Sequence, residues 1–374
     1  VLFLAMARAV FVSFALLAAG CGTPAEPRFE LNTEGRDPKT MSLAQRQAIA
    51  KALEDLFGTP DEPRVSAGVG LDAEWLALAA GPIAGDADGT QRGLYRRHCV
   101  KCHGISGDGA GPLAGTFDPY PRDFRPGTFK YTSTRAGAKP LREDLRRTLR
   151  RGIPATAMPS FAELTEGEIE ALVEYVKYLS VRGQTEQYLF LLVVDEDEYL
   201  PLGVAAMEEV IEDGMLAAAG LWEQPEENRD EYLIAPPAPP DVDTPEKLAA
   251  SVARGRELYA MEGAKCVECH GPDGAGDGET TEVYDDWNKP KNGVTPKDTA
   301  RLARWFKLPI QRLRPRDFRL GNFRGGDRPE DLYRRIHAGI KGTPMPAAGP
   351  SPGVPGVYTP EEIWHVVHYI LSLR

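Results

Sequence analysis

Apolar residues fall at helical intervals in a few stretches of the chain and are scattered elsewhere. Ile169, Leu172, Val173 and Val176 share one face of a predicted helix that opens at Thr165. Ile363, Val366, Val367 and Ile370 repeat that face in a helix opening at Thr359. Each opens with Thr-x-x-Glu, a capping box with Glu168 or Glu362. Another helix is predicted from Ser42 to Phe57, where Ile49, Leu53 and Leu56 line up, Ser42 and Gln45 form a capping box, and Gly58 follows as a stop. Glu186 to Gly220 reads as helical, and Pro236-Pro237-Ala238-Pro239-Pro240 as a stiff spacer. Ala9 to Ala19 is an apolar run, yet shorter than the ~20 residues a membrane span needs.

The recurring helix is the end of a longer repeat. Gly93-Leu94-Tyr95 and Cys99-Val100-Lys101-Cys102-His103-Gly104 return as Leu258-Tyr259 and Cys266-Val267-Glu268-Cys269-His270-Gly271. Pro121-Arg122-Asp123-Phe124-Arg125 returns as Pro315-Arg316-Asp317-Phe318-Arg319, and Gly152-Ile153 and Met158-Pro159 as Gly339-Ile340 and Met345-Pro346. Two copies in one order imply two domains of one fold. His103 and Asp123 lie 20 positions apart, His270 and Asp317 47 apart, so the second copy carries a large insertion. With 38 Gly and 32 Pro in 374 residues, many turns and long loops are expected, which excludes an all-helical bundle or a large β-sandwich. The fold class expected is mainly α, with two tandem small helical domains.

Charge sorts by segment. The net −11 comes from a connector, residues 184–250, that holds 17 acidic and 2 basic residues, whereas 90–183 sums to +6 and 251–374 to +3. The acidic connector is expected to lie against the basic first domain. The overall balance gives no support to nucleic-acid binding. Arg142, Arg146, Arg147, Arg150 and Arg151 form a basic run on a short predicted helix, either a solvated face or a docking patch for an acidic redox partner.

Met6-Ala7-Arg8, the apolar run and the small residues after it read as a secretory signal over 1–20. Leu17-Ala18-Ala19-Gly20-Cys21 resembles a bacterial lipobox, so Cys21 is the expected lipidation site and the protein a membrane-anchored lipoprotein of the periplasm or cell envelope; ordinary signal cleavage is the alternative. Residues 21–41 suit a flexible tether and 42–88 a helical N-terminal extension, followed by repeated domains at 89–183 and 251–374.

The other four cysteines carry the chemistry. Cys-x-x-Cys-His is a haem attachment signature. On one helical turn Cys99 and Cys102, or Cys266 and Cys269, face the same side and can form thioethers to the two vinyl groups of one haem. The adjacent His103 or His270 then points at the iron. A single Cys₄ zinc site would leave both histidines as coincidences, a redox-active pair would need a βαβ context, and disulfides at this spacing are strained. Met158 and Met345 sit in matching Thr-x-Met-Pro loops, where proline keeps the preceding residue extended. They are the expected sixth ligands, which raise the iron's potential; core filling is the alternative.

On these motifs the chain resembles the class I c-type cytochromes of the tandem dihaem kind, over residues 89–182 and 251–374. The resemblance implies a first helix crossing a last helix near each haem, with Tyr95 and Tyr259 on the first and Tyr175 and Tyr369 on the last. It also implies a proline whose carbonyl takes the proximal histidine's ring proton. Pro112 fits in the first domain and nothing fits in the second, whose insertion is expected to begin there. Arg122 and Arg316 are candidates to pair with haem propionates, or else belong to a structural turn. His98, His337, His365 and His368 read as surface or packing residues.

Two covalently bound haem c groups are thus expected, with iron ligands His103, Met158, His270 and Met345. The expected role is single-electron transfer between redox proteins such as a quinol-oxidising complex, a dehydrogenase or a terminal oxidase. Alternatives are a dihaem peroxidase-like enzyme with one open iron, or a haem-based sensor.

Overall fold

The computed structural model describes residues 26–34, 36, 38–195, 208–280, 282–289 and 305–374. The expected signal segment and Cys21 lie outside the described residues. The described chain is mainly helical, as expected, with one two-stranded antiparallel ladder, β1 (Ala84–Gly85) and β2 (Gln91–Arg92). No helix among the described residues is long and apolar enough to cross a membrane.

The first half is built on α6 (Glu166–Phe190), which opens on the Thr165–Glu168 capping box. Both flanks of the repeated domain pack on this helix. From the N-terminal side come α1 (Leu43–Phe57), which buries Ile49, Leu53 and Phe57, and α2 (Ala73–Ala79), whose N-cap is Asp72. From the C-terminal side comes α7 (Glu208–Glu227), which adds Ile211, Met215, Ala218, Ala219 and Trp222 to the same core. The expected boundary at 183 falls inside α6, which continues to Phe190 because its later turns bury Thr185, Glu186, Leu189 and Phe190. The connector does lie against the first region, but apolar side chains dominate its seat. Glu226 accepting from the Arg142 amide and the Arg135–Glu231 pair add to it.

Three short helices complete the first region: α3 (Leu94–His98), α4 (Val100–His103) and α5 (Arg142–Arg151). Four arginines of the basic run on α5 are engaged in ion pairs, and Arg151 is exposed. Arg142 reaches Glu170 and Glu174 of α6, Arg146 reaches Glu170, Arg147 reaches Asp144, and Arg150 reaches Glu166.

After α8 (Arg229–Tyr232) the chain runs extended along the second region, where Ile234 is buried and Trp364 donates to the Pro237 carbonyl. The second region pairs α9 (Pro245–Tyr259) with α12 (Pro360–Ser372), and adds α10 (Cys266–His270) and α11 (Pro329–Ala338). The α9–α12 crossing is tight at Gly255, where a Cβ would lie 1.9 Å from the His365 carbonyl oxygen. Ser251 of α9 sits between two histidines of α12, with its Oγ 2.7 Å from Nδ1 of both His365 and His368.

Candidate functional site

Each Cys-x-x-Cys-His segment folds into a single helical turn, as its spacing predicts. Cys99, Cys102, Cys266 and Cys269 are all free thiols. Cys99 belongs to the first core and Cys266 packs against the second, so the four do not converge on one site. Burial pushes the Cys99 thiol up to about 12, with Cys102 adding to the effect.

The turn after each histidine is held the same way in both regions. Gly109 N–H donates to the His103 carbonyl and Gly276 N–H to that of His270. Gly111 and Gly278 donate likewise to Cys102 and Cys269. The second region therefore keeps this loop through Thr280, whose amide donates to Glu268, and its insertion starts later than expected.

The orienting acceptor is not Pro112. His103 Nδ1 lies 2.9 Å from the Arg122 carbonyl oxygen, and His270 Nδ1 lies 3.2 Å from that of Arg316. A carbonyl only accepts, so Nδ1 carries the proton in both rings and Nε2 keeps the lone pair. Pro112 is exposed, in a stretch whose flanking amides, Gly111 and Leu113, turn back onto the α4 turn. The next residues of the same motif complete the mount. Phe124 stacks on His103 and Phe318 on His270, each with centroids 4.4 Å apart. Asp123 and Asp317 each clamp the arginine two positions on, Arg125 and Arg319, through Nε and Nη2. The buried His103 ring is pushed down to about 4 by desolvation, opposed by its Arg122 bond. It is therefore neutral at physiological pH.

The methionine loops also repeat. Met158 N–H donates to Thr156 Oγ1, which donates to the Ile153 carbonyl, and the Ile153 amide donates to the Met158 carbonyl. Met345, Thr343 and Ile340 make the same three bonds. The expected tyrosine pairs meet: Tyr95 with Tyr175 at 4.7 Å and Tyr259 with Tyr369 at 5.2 Å. Tyr95 and Tyr259 donate to the carbonyls of Gly104 and Gly271, just past each histidine.

In the first region these parts surround one cavity. Cys99, Cys102, His103 and Met158 line it together with Leu149, Val173 and other apolar side chains. Two thiols, a neutral imidazole and a thioether on an apolar cavity are the donor set a covalently held haem requires. His98, expected at the surface or in packing, is half-buried at the rim of this cavity, edge-on to Phe161.

The two arginine side chains differ, and Arg316 follows the structural-turn alternative. Arg122 lines the cavity, but its Nη2 and Nη1 lie on Asp285 and Asp286 of the second region's insertion, at 3.2 and 3.1 Å. Arg316 donates through Nε and Nη2 to the Asn322 carbonyl and closes a turn. The Asp285 contribution has no counterpart in the repeat, so sequence reasoning missed it.

The family model described as Cytochrome c matches residues 91–180 and 252–374, more than half of the chain. A solved structure titled Kuenenia stuttgartiensis reducing HAO-like protein complex Kustc0457/Kustc0458 contains a similar chain. The two align with a TM-score of 0.51 at 25% identity, over 75% of this chain and 94% of that one. No curated protein matches.

Proposed function

Given that the chain belongs to the cytochrome c family, we propose that it is an exported electron carrier of the tandem dihaem class I type, with one haem in each repeated region. When bound, each haem supplies a one-electron ferric–ferrous couple. The protein's part is to hold, orient and shield. Cys99 with Cys102, and Cys266 with Cys269, are the attachment thiols. His103 and His270, with Nδ1 held on a carbonyl, would offer the unprotonated Nε2 to the iron, and Met158 and Met345 would offer a thioether. A thioether in that position stabilises reduced iron.

One observation carries this reading. Both regions hold the histidine Nδ1 proton on a carbonyl of the Pro-Arg-Asp-Phe motif and both tie the methionine into the same three-bond loop. Cys21 is proposed as a lipid anchor on the periplasmic or cell-envelope face, with a quinol-oxidising complex, dehydrogenase or terminal oxidase as partner. The solved relative is titled as part of a protein complex, which agrees with a redox-protein partner.

The purified protein is expected to carry two haems per chain by haemochrome assay. Its oxidised form should show a sulfur-to-iron charge-transfer band, and Met158→Ala and Met345→Ala should each remove about half of it. A single haem, or a band unmoved by both substitutions, would refute the tandem dihaem assignment.

A further inference from the structure

The insertion that distinguishes the second region is seated on the first region's cavity. Tyr120 N–H donates to Gln311 Oε1, and Gln311 Nε2 donates to the Phe117 carbonyl. Both Phe117 and Tyr120 line the cavity. The insertion also places one of its own side chains in the wall. Asp285, only 5% exposed, lines the cavity between Arg122 Nη2 at 3.2 Å and Lys130 Nζ at 2.6 Å. Its neighbour Asp286 takes Arg122 Nη1, and its amide donates to the Gly342 carbonyl in the loop that leads to Met345. The dipeptide therefore touches the first cavity with one residue and the second methionine loop with the other. In the second region the corresponding arginine, Arg316, faces a backbone carbonyl instead of a carboxylate.

We propose that Asp285 is a fixed anion of the first redox site, lent by the second region, and that it lowers the potential of that site alone. The inference rests on the reading that the first cavity holds a haem. Oxidation adds one positive charge at the iron and reduction removes it. A buried carboxylate on the cavity wall stabilises the oxidised form more than the reduced one, and weak screening makes the effect larger than at the surface. Arg122 and Lys130 act in the opposite sense and Asp286, on Arg122, in the same one, so the site is set by a balance in which Asp285 is the anion shared between two cations. Asp285 is a positioning and tuning group; it makes no bond to the reacting centre.

The test is a spectroelectrochemical titration of the full holoprotein, after haem content has been measured in each variant. A content of two haems per chain upholds the underlying reading whatever the potentials do. The transition that Met158→Ala perturbs identifies the first site. Asp285→Asn is expected to move that transition upward, with a several-fold rise in its reduced-to-oxidised ratio at fixed potential, and to leave the other in place. Asp285→Glu should restore most of the shift. Lys130→Gln should move the same transition downward, and supplies an independent sign should the asparagine variant fail to assemble. Both transitions moving together, or the first not moving in either variant, would overturn the proposal. The second result would mean that the cofactor's own carboxylates displace Asp285 from its cations.

Discussion

His103 shows how much of a redox site is made by atoms that leave no mark in a sequence. Its ring is mounted by a carbonyl on one edge and by Phe124 on one face. Replacing Phe124 with Leu should leave the Arg122 carbonyl bond but free the ring to rotate, which a broadened low-spin electron paramagnetic resonance signal would report. Gly152 is a sharper case. Its φ is +65°, and a Cβ there would lie 2.7 Å from the Met158 carbonyl oxygen. Gly152→Ala should cost roughly 1–3 kcal/mol in thermal or denaturant unfolding and weaken the Met158 charge-transfer band, because the helix end and the methionine loop share that contact. The cysteines, histidines and methionines were legible because their side chains carry the chemistry. The Arg122 and Arg316 carbonyls were not, since any residue has one. Only the recurrence of Pro-Arg-Asp-Phe pointed there, and its arginines drew attention to their guanidinium groups.

At the scale of elements, the charge pattern misdirected where the apolar pattern did not. The acidic connector suggested electrostatic attachment, yet α7 is held by Met215, fully buried, and Trp222, 3% exposed. Hydrogen exchange in α7 is therefore expected to stay slow at high salt, which screens exposed charges, and to rise in Met215→Ala, a substitution that costs about 2–5 kcal/mol in a packed core. The arginines of α5 were readable as a basic helix but not as partners of α6, because the glutamates they meet lie 16 to 32 positions further along the chain, far beyond one helical turn. The α9–α12 crossing carries its own pH dependence. Burial first, and then His365, hold His368 below the usual histidine value. A depressed histidine favours the neutral ring in the folded state, so this contribution is present above the unfolded value near 6.5 and is lost as pH falls below that towards the lower folded value. Melting temperature should drop between pH 7 and pH 5, and His368→Gln should flatten that drop.

Across the whole molecule, two repeated regions were legible and their docking was not. The contacts between them do not repeat: positions that match in the two copies meet different partners, and others come from residues with no match. Lys341 donates to Thr132 Oγ1, Thr134 Oγ1 and the Ala138 carbonyl, each at 2.8 Å. Lys307 bridges Asp108 and Glu30, and Arg324 reaches the Ala155 carbonyl. Several of these groups are half-buried or better, so small-angle scattering should report one separation of the regions in low and high salt. Lys341→Ala, which strands three acceptors, should widen that distribution.

The seat of Asp285 and Gln311 over the first cavity also orders the protein's assembly. If the chain is exported from its N-terminus, as proposed, Cys99 and Cys102 cross before residue 285 does. Their thioethers can then form in an open cleft. Once the insertion settles on Phe117 and Tyr120, the same cleft has a wall, and a haem arriving late would have to dislodge it. On that reading the second region would act as the stopper of the first, and loading in chain order would be the path that never has to draw it.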